Sequence, residues 1–94
     1  MLYRILTEKK NVEATLELVS EYFDGFTYYE VNGMWEGQLE KSICIEISSD
    51  IAFKRRIGEQ CSRRIVGRLC SEIRELNGQE AVLLQELSGS DYLI

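Results

Sequence analysis

Apolar residues recur along the chain in two rhythms, and each rhythm predicts one type of secondary structure. Residues 12–23 and 57–76 place an apolar side chain at every third or fourth position, which predicts two helices. Shorter runs rich in β-branched and aromatic residues predict four strands, at residues 2–6, 26–31, 42–47 and 81–87. The predicted order of elements is therefore β-α-β-β-α-β.

Turn and capping residues mark the ends of these elements. Asn11 is suited to the N-cap of the first helix, because its side-chain oxygen can accept a hydrogen bond from a free backbone amide. Gly25 and Gly78 can adopt the left-handed backbone conformation that closes a helix. Asn32-Gly33 is a preferred pair for a two-residue hairpin turn, so we expect the second and third strands to be connected there. Residues 34–41, which follow, are either a loop or an extension of the strand.

Four strands and two helices in this order predict a ferredoxin-like βαββαβ sandwich. This is an α+β fold in which a four-stranded antiparallel sheet carries both helices on one face. The 94 residues are enough for a single domain, residues 1–94, with one core. We expect residues 88–94 to form a flexible tail or to contact another subunit of an oligomer.

The face of the predicted sheet without helices is not uniformly polar. Leu2 and Leu6 point away from Tyr3 and Ile5, so the first strand is apolar on both sides. We expect this face to carry, among its apolar side chains, Arg4, Cys44, Glu46 and Glu86. Mixed apolar surfaces of this size are typical of interaction surfaces, and we predict a homo-oligomer, preferably a trimer. The alternative is that the apolar residues 92–94 cover part of the face.

The segment between the second and third strands contains the residues best suited to bind a small molecule. Trp35 can stack on a ligand, and Gly37 allows a ligand to approach the backbone closely. Glu36 and Glu40 can exchange protons or accept hydrogen bonds from an amino group, and Tyr29 adds an aromatic ring nearby. We expect Trp35 to be buried mainly between subunits, at a cleft that includes Glu36 or Glu40. The alternative is that the glycines serve turn geometry and the glutamates are solvated.

Composition narrows the chemistry further. The chain has no histidine, and its three cysteines (Cys44, Cys61 and Cys70) form no CxxC pair, so we predict no metal site and place these cysteines in the core or an interface. No cofactor can be named from the sequence. Residues 1–10 lack the features of a signal peptide, and no apolar run approaches the roughly 20 residues of a membrane span. We therefore predict a cytoplasmic protein without membrane contact.

Positive charge is concentrated in residues 54–74, although the chain as a whole has a net charge of −5. Arg64 and Arg68 lie on the same side of the second predicted helix. We interpret them as part of a solvated helix face. The alternative is a contact for an anionic partner, but the overall negative charge makes nucleic-acid binding an unfavoured function.

The element order and one short motif resemble a known superfamily. Residues 34–40, Met-Trp-Glu-Gly-Gln-Leu-Glu, resemble the tryptophan-glycine-acid run at the central hairpin of CutA-like proteins, and the βαββαβ order resembles the PII and CutA superfamily. The resemblance implies a trimer assembled through the sheet, with a cleft between subunits near Trp35. It does not extend to the PII nucleotide loop, because residues 77–80 are too short to form one, and the absence of histidine argues against copper.

Three functions follow from these observations. The leading hypothesis is an oligomeric regulatory module of PII or CutA type that binds a small molecule or a protein, for which catalysis is uncertain and not favoured. The second is a small enzyme that uses Glu36 or Glu40 in a cleft between subunits. The third is a nucleic-acid-associated protein that uses Arg64 and Arg68.

Overall fold

The computed structural model describes residues 2–48, 63–87 and 90–94, with the backbone alone for residues 90–93. The described strands are β1 (Leu2–Glu8), β2 (Thr27–Trp35), β3 (Gln38–Ser48), β4 (Leu83–Glu86) and β5 (Ser90–Leu93), and the described helices are α1 (Val12–Tyr22) and α2 (Arg63–Asn77). The strands form one antiparallel sheet in the order β2-β3-β1-β4-β5. The α+β ferredoxin-like fold predicted from the sequence is confirmed. Residues 57–62 of the second predicted helix lie outside the described residues.

The fifth strand is a difference from the prediction. β5 pairs with β4, and backbone hydrogen bonds of 2.6 and 2.9 Å join Val82 and Ile94 in both directions. β5 is therefore an edge strand of the sheet, which the sequence did not predict. Ile94 packs against the core on the helix side, next to Gly67 of α2, so it does not cover the face without helices.

The hairpin turn lies four residues later than the sequence predicted. Glu36 and Gly37 both have positive φ values, of 50° and 77°, which is the conformation of a type I′ turn. Asn32-Gly33 is inside β2 instead, opposite Lys41 and Glu40. A turn at Asn32-Gly33 would pair Val31 with Met34, and the same register would place Ile43 opposite a residue of α1. The observed turn keeps β3 in register with the whole of β2.

One face of the sheet and both helices enclose the core. The strands contribute the apolar side chains that alternate toward the helices, including Ile5, Ile45 and Leu84, which are fully buried. The predicted helical stripes supply the other side, from Val19 and Phe23 in the first helical segment to Val66, Leu69 and Ile73 in α2. Glu86 was predicted on the face without helices, but it lies opposite Tyr3 and so on the helix side.

A buried polar network holds the end of β1 against the end of α2. Asn77, which is 2% exposed, donates to Oε1 of Gln79 at 2.9 Å, and the Thr7 hydroxyl donates to the same oxygen at 2.6 Å. The Thr15 hydroxyl of α1 donates to Oδ1 of Asn77 at 3.4 Å. Gly78, with φ 62°, closes α2 as predicted. The network therefore fixes the place where β1, α1 and α2 meet.

Asn11 differs from its predicted role in one respect. It occupies the N-cap position of α1, but its backbone is left-handed, with φ 48°, and its side chain caps no amide of the helix. The side-chain amide instead donates to Oδ1 of Asn77 at 3.4 Å. Asn11 therefore connects the start of α1 to the buried network. Neither described helix is long and apolar enough to cross a membrane.

Candidate functional site

The sheet face that α1 and α2 leave uncovered is here named the open face. Strand register places on it the side chains that alternate with the core positions. From β1 and β4 these are Leu2, Arg4, Leu6, Glu8, Leu83 and Gln85. From β2 and β3 they include Tyr29, Val31, Gly33, Trp35, Glu40, Ser42, Cys44 and Glu46. The open face thus combines apolar surface with several ionisable groups, and Arg4, Cys44 and Glu46 lie on it as the sequence predicted.

A cavity of about 230 Å³ lies at the hairpin end of the open face. Its walls include Leu6 and Leu83 on one side and Trp35 on the other, and Glu8 and Glu40 contribute carboxylates. Thr7 and Gln79 of the buried polar network also line it. The cavity therefore combines an aromatic ring, aliphatic side chains and two carboxyl groups, and part of its wall is fixed by the buried polar network.

Glu8 and Glu40 form a carboxyl pair in this cavity. Glu8 lies opposite Ser42, and Glu40 is two residues before Ser42 on the same face of β3, so the two side chains are diagonal neighbours. A hydrogen bond with Glu8 raises the pKa of Glu40, and partial burial and the negative charge of Glu8 act in the same direction. Such a pair retains a proton more readily than an isolated carboxylate while still attracting a cation.

A second group of polar side chains lies further along the open face. The Tyr29 hydroxyl donates to Oε1 of Glu46 at 2.5 Å. Hydrogen bonds of Tyr29 with Cys44 and with Glu46 raise the pKa of Tyr29 well above its ordinary value, and the bond with Cys44 has the larger effect. Burial raises the pKa of the Cys44 thiol. Tyr29 is thus held toward the middle of the open face, outside the walls of the cavity.

The structure separates the residues that the sequence predicted as one ligand site. Trp35 and Glu40 line the cavity together. Glu36 and Gly37 form the hairpin turn instead, because only positions with positive φ satisfy its geometry, and they are outside the cavity walls. Arg64 and Arg68 are exposed on α2, on the other side of the sheet.

Glu8 is the cavity residue that the sequence reasoning missed. The first strand was predicted to end at Leu6, whereas it continues to Glu8 because β3 pairs with it as far as Ser42. The signal was present in the alternation of Leu2, Arg4, Leu6 and Glu8 on one face of the strand. About half of the Trp35 surface (49%) is exposed in the single chain, so its burial between subunits stays a prediction.

The cysteines lie where the sequence placed them, as far as they are described. Cys44 and Cys70 are buried free thiols, and Cys61 lies outside the described residues. Burial raises the pKa of Cys70 to about 12, which makes it an unreactive core residue. Within residues 2–48, 63–87 and 90–94, no group of three or more potential metal ligands is found.

Comparison with known proteins identifies similar structures but no family. No protein-family model matches the chain, and no curated protein matches it. A phage SAM lyase in complex with S-methyl-5′-thioadenosine has 22% sequence identity and a TM-score of 0.65, and the match covers 99% of this chain and 87% of that chain. A phage SAM lyase in the apo state has 21% identity and a TM-score of 0.62, with coverage of 99% and 86%. These similarities show the fold.

Both similar structures are enzymes, which contradicts the leading functional hypothesis. The prediction of a non-catalytic regulatory module of PII or CutA type is wrong. It rested on element order and one short motif, and a ferredoxin-like sheet supports many unrelated functions. The resemblance to the PII and CutA superfamily itself stays a prediction.

Proposed function

We propose that this chain is a lyase that cleaves a sulfonium substrate of the S-adenosylmethionine (SAM) type and releases S-methyl-5′-thioadenosine. The observation that carries the proposal is the joint presence of Trp35 and the Glu8–Glu40 pair in one cavity of the open face. The overall similarity to phage SAM lyase supports it, since that similarity covers 99% of this chain.

The cavity has the chemical character that such a substrate needs. An indole ring provides a flat apolar surface on which a purine can stack, an interaction worth about 1–3 kcal/mol for each base. SAM also carries two positive charges, on its sulfonium sulfur and its ammonium group. The Glu8–Glu40 pair supplies negative charge at the same cavity, and Leu6 and Leu83 provide apolar contacts between these groups.

The reaction balances without water or a cofactor. The bond between the sulfonium sulfur and the γ-carbon of the amino-acid portion breaks, and its electron pair stays on sulfur, which gives the neutral thioether. In one route a carboxylate oxygen of the substrate attacks the γ-carbon and forms a cyclic ester, with no proton transfer. In the other route the β-carbon loses a proton to a carboxylate of the Glu8–Glu40 pair and an alkene forms. The four-carbon product distinguishes the two routes.

An oligomer would complete this site. The volume of about 230 Å³ is below the range of about 300–1,000 Å³ that is usual for small-molecule sites. The cavity opens on the apolar open face, where Leu2, Tyr29 and Trp35 are 37%, 40% and 49% exposed. A second subunit seated on that face would enlarge the cavity wall and bury these side chains. A homo-oligomer, with a trimer as the preferred form, is therefore part of the proposal.

The test is the formation of S-methyl-5′-thioadenosine from SAM by the purified protein, followed by chromatography together with the four-carbon product. Glu40→Gln should lower kcat about 100-fold or more, because acid–base and charge effects of this type contribute that much. Trp35→Ala should raise KM about 10–100-fold through lost stacking. Glu36→Gln is the matched control, since Glu36 is outside the cavity, and it should keep wild-type activity.

Absence of S-methyl-5′-thioadenosine formation by the folded wild-type protein would overturn the proposal. Equal activity of Glu40→Gln and Glu36→Gln would show that the cavity is not the catalytic site.

A further inference from the structure

Arg4 is a half-buried cation on the open face. It lies between Gln85 of β4 and Glu46 of β3 in the strand register. Its Nε atom is buried and has no hydrogen-bond partner among the residues that the structure describes. A buried donor without an acceptor is unfavourable, and more so when the group is charged. Such a group is expected to have a partner in the functional state of the protein.

The carboxylate opposite Arg4 in the strand register already accepts a hydrogen bond from another residue. Glu46 lies directly opposite Arg4, but its Oε1 accepts the Tyr29 hydroxyl at 2.5 Å. The positive charge of Arg4 also acts on Cys44, where it lowers the thiol pKa against the larger effect of burial. The guanidinium is therefore close to the middle of the open face, outside the walls of the cavity, and Arg4 as a whole is only half-buried.

Arg4 and the carboxyl pair lie at two ends of one row of side chains. Arg4, Leu6 and Glu8 alternate along the same face of β1, so the first and last are about 13 Å apart at Cα, with Leu6 midway. Leu6 lines the cavity. The row thus presents a positive group, an aliphatic group and a negative group in sequence. A ligand that matches it has a carboxylate at one end and a cation at the other, joined by carbon.

We infer that Arg4 binds the α-carboxylate of the amino-acid portion of the substrate while the Glu8–Glu40 pair holds its positive charge. The inference rests on the proposed function and names the residue that recognises the zwitterionic end of that substrate. A guanidinium binds a carboxylate through two parallel charge-assisted hydrogen bonds, which an ammonium cannot reproduce. S-methyl-5′-thioadenosine has no carboxylate, so Arg4 adds affinity for the substrate and none for this product.

The test measures binding of three nucleosides by calorimetry, to the wild-type protein and to Arg4→Gln. S-adenosylhomocysteine has the amino-acid carboxylate but no sulfonium to cleave, and its decarboxylated analogue lacks that carboxylate alone. S-methyl-5′-thioadenosine lacks the whole amino-acid portion. The wild-type protein should bind S-adenosylhomocysteine about 10–100-fold more tightly than the analogue. In Arg4→Gln the two should bind equally, with affinity for S-methyl-5′-thioadenosine unchanged. Arg68→Gln, an exposed arginine of α2, is the matched control and should bind as the wild type does.

Each result decides the inference. Equal wild-type affinities for S-adenosylhomocysteine and its decarboxylated analogue overturn it and leave the proposed function standing, because release of S-methyl-5′-thioadenosine is measured separately. A preference that persists in Arg4→Gln also overturns it. If Arg4→Gln does not fold, Arg4→Lys replaces it and should lose most of the preference, since lysine lacks the paired donors. A wild-type protein that binds none of the three nucleosides refutes the inference and the proposed function together.

Discussion

Glu8 and Glu40 are diagonal neighbours on the open face, and hydrogen bonding between their carboxyl groups raises the pKa of Glu40 above its ordinary value of 4.5. Glu8 ends β1, and Glu40 is near the start of β3. Two residues 32 positions apart in sequence thus become one carboxyl unit through strand pairing. This unit is the part of the open face with the clearest acid–base character.

The raised pKa of Glu40 predicts how stability depends on pH. Just above pH 4.5 the folded protein binds a proton that the unfolded chain releases, so the stabilisation from this proton is complete below that pH and is lost as pH rises through the folded pKa. The free energy of unfolding of the wild type should therefore fall over this interval more than that of Glu40→Gln. Urea unfolding between pH 4 and 8 measures the difference. Glu36→Gln should follow the wild-type curve, and identical curves for the wild type and Glu40→Gln would contradict the pairing.

The position of the hairpin turn predicts opposite effects for two glycines. Gly37 has φ 77°, and a side chain there is unfavourable by about 1–2 kcal/mol, so Gly37→Ala should lower the free energy of unfolding by that amount. Gly33 lies inside β2, and an added Cβ would meet no atom closer than 3.9 Å, so Gly33→Ala should be neutral or stabilising by up to about 1 kcal/mol. Chemical denaturation of both variants decides it. The reverse ranking would place the turn at Asn32-Gly33.

Asn77 should contribute strongly to stability through the buried polar network. Asn77→Ala removes the donor to Gln79 and the acceptor of the Thr15 hydroxyl, which leaves buried polar groups without partners. We expect a loss of about 2–3 kcal/mol in the free energy of unfolding. Asn32→Ala, at an exposed position of β2, is the control and should change it by less than about 0.5 kcal/mol. A loss below 1 kcal/mol for Asn77→Ala would mean that the network is not a structural requirement.

The apolar residues of the open face predict association of the protein through that face. At micromolar concentration, light scattering should give the mass of an oligomer, preferably a trimer. Leu2→Glu places a charge on the open face and should shift the protein toward monomer. Leu76→Glu changes an equally exposed leucine of α2 on the other side of the sheet, and should leave the mass unchanged. A wild-type monomer would contradict the prediction.

The sequence was informative where one residue pattern determines one element. The alternation of Ile43, Ile45 and Ile47 gave a strand with one core face, and that face is buried as predicted. The hairpin turn was wrong because Asn-Gly is a local preference, whereas register is set by the pairing of whole strands. Glu8 was missed for the same reason, since the end of β1 depends on its partner in β3.

The candidate site was predictable only in part. Trp35 and Glu40 were predicted together because they belong to one short segment, and they do line one cavity. The other cavity residues come from distant segments: Glu8 from β1, Leu83 from β4, and Gln79 from just after α2. Only the three-dimensional register brings these distant segments together, so a single sequence without the fold could not identify them as neighbours.

Emission from Trp35 provides the most direct test of the central claim, that the cavity of the open face binds the nucleoside thioether. Trp35 is the only tryptophan in the chain and lines this cavity, so a ligand bound there must alter its surroundings. Titration with S-methyl-5′-thioadenosine should quench or shift the emission in a saturable manner, with the same dissociation constant as calorimetry gives. Binding by calorimetry without any change in Trp35 emission, or no binding at all, would contradict the account.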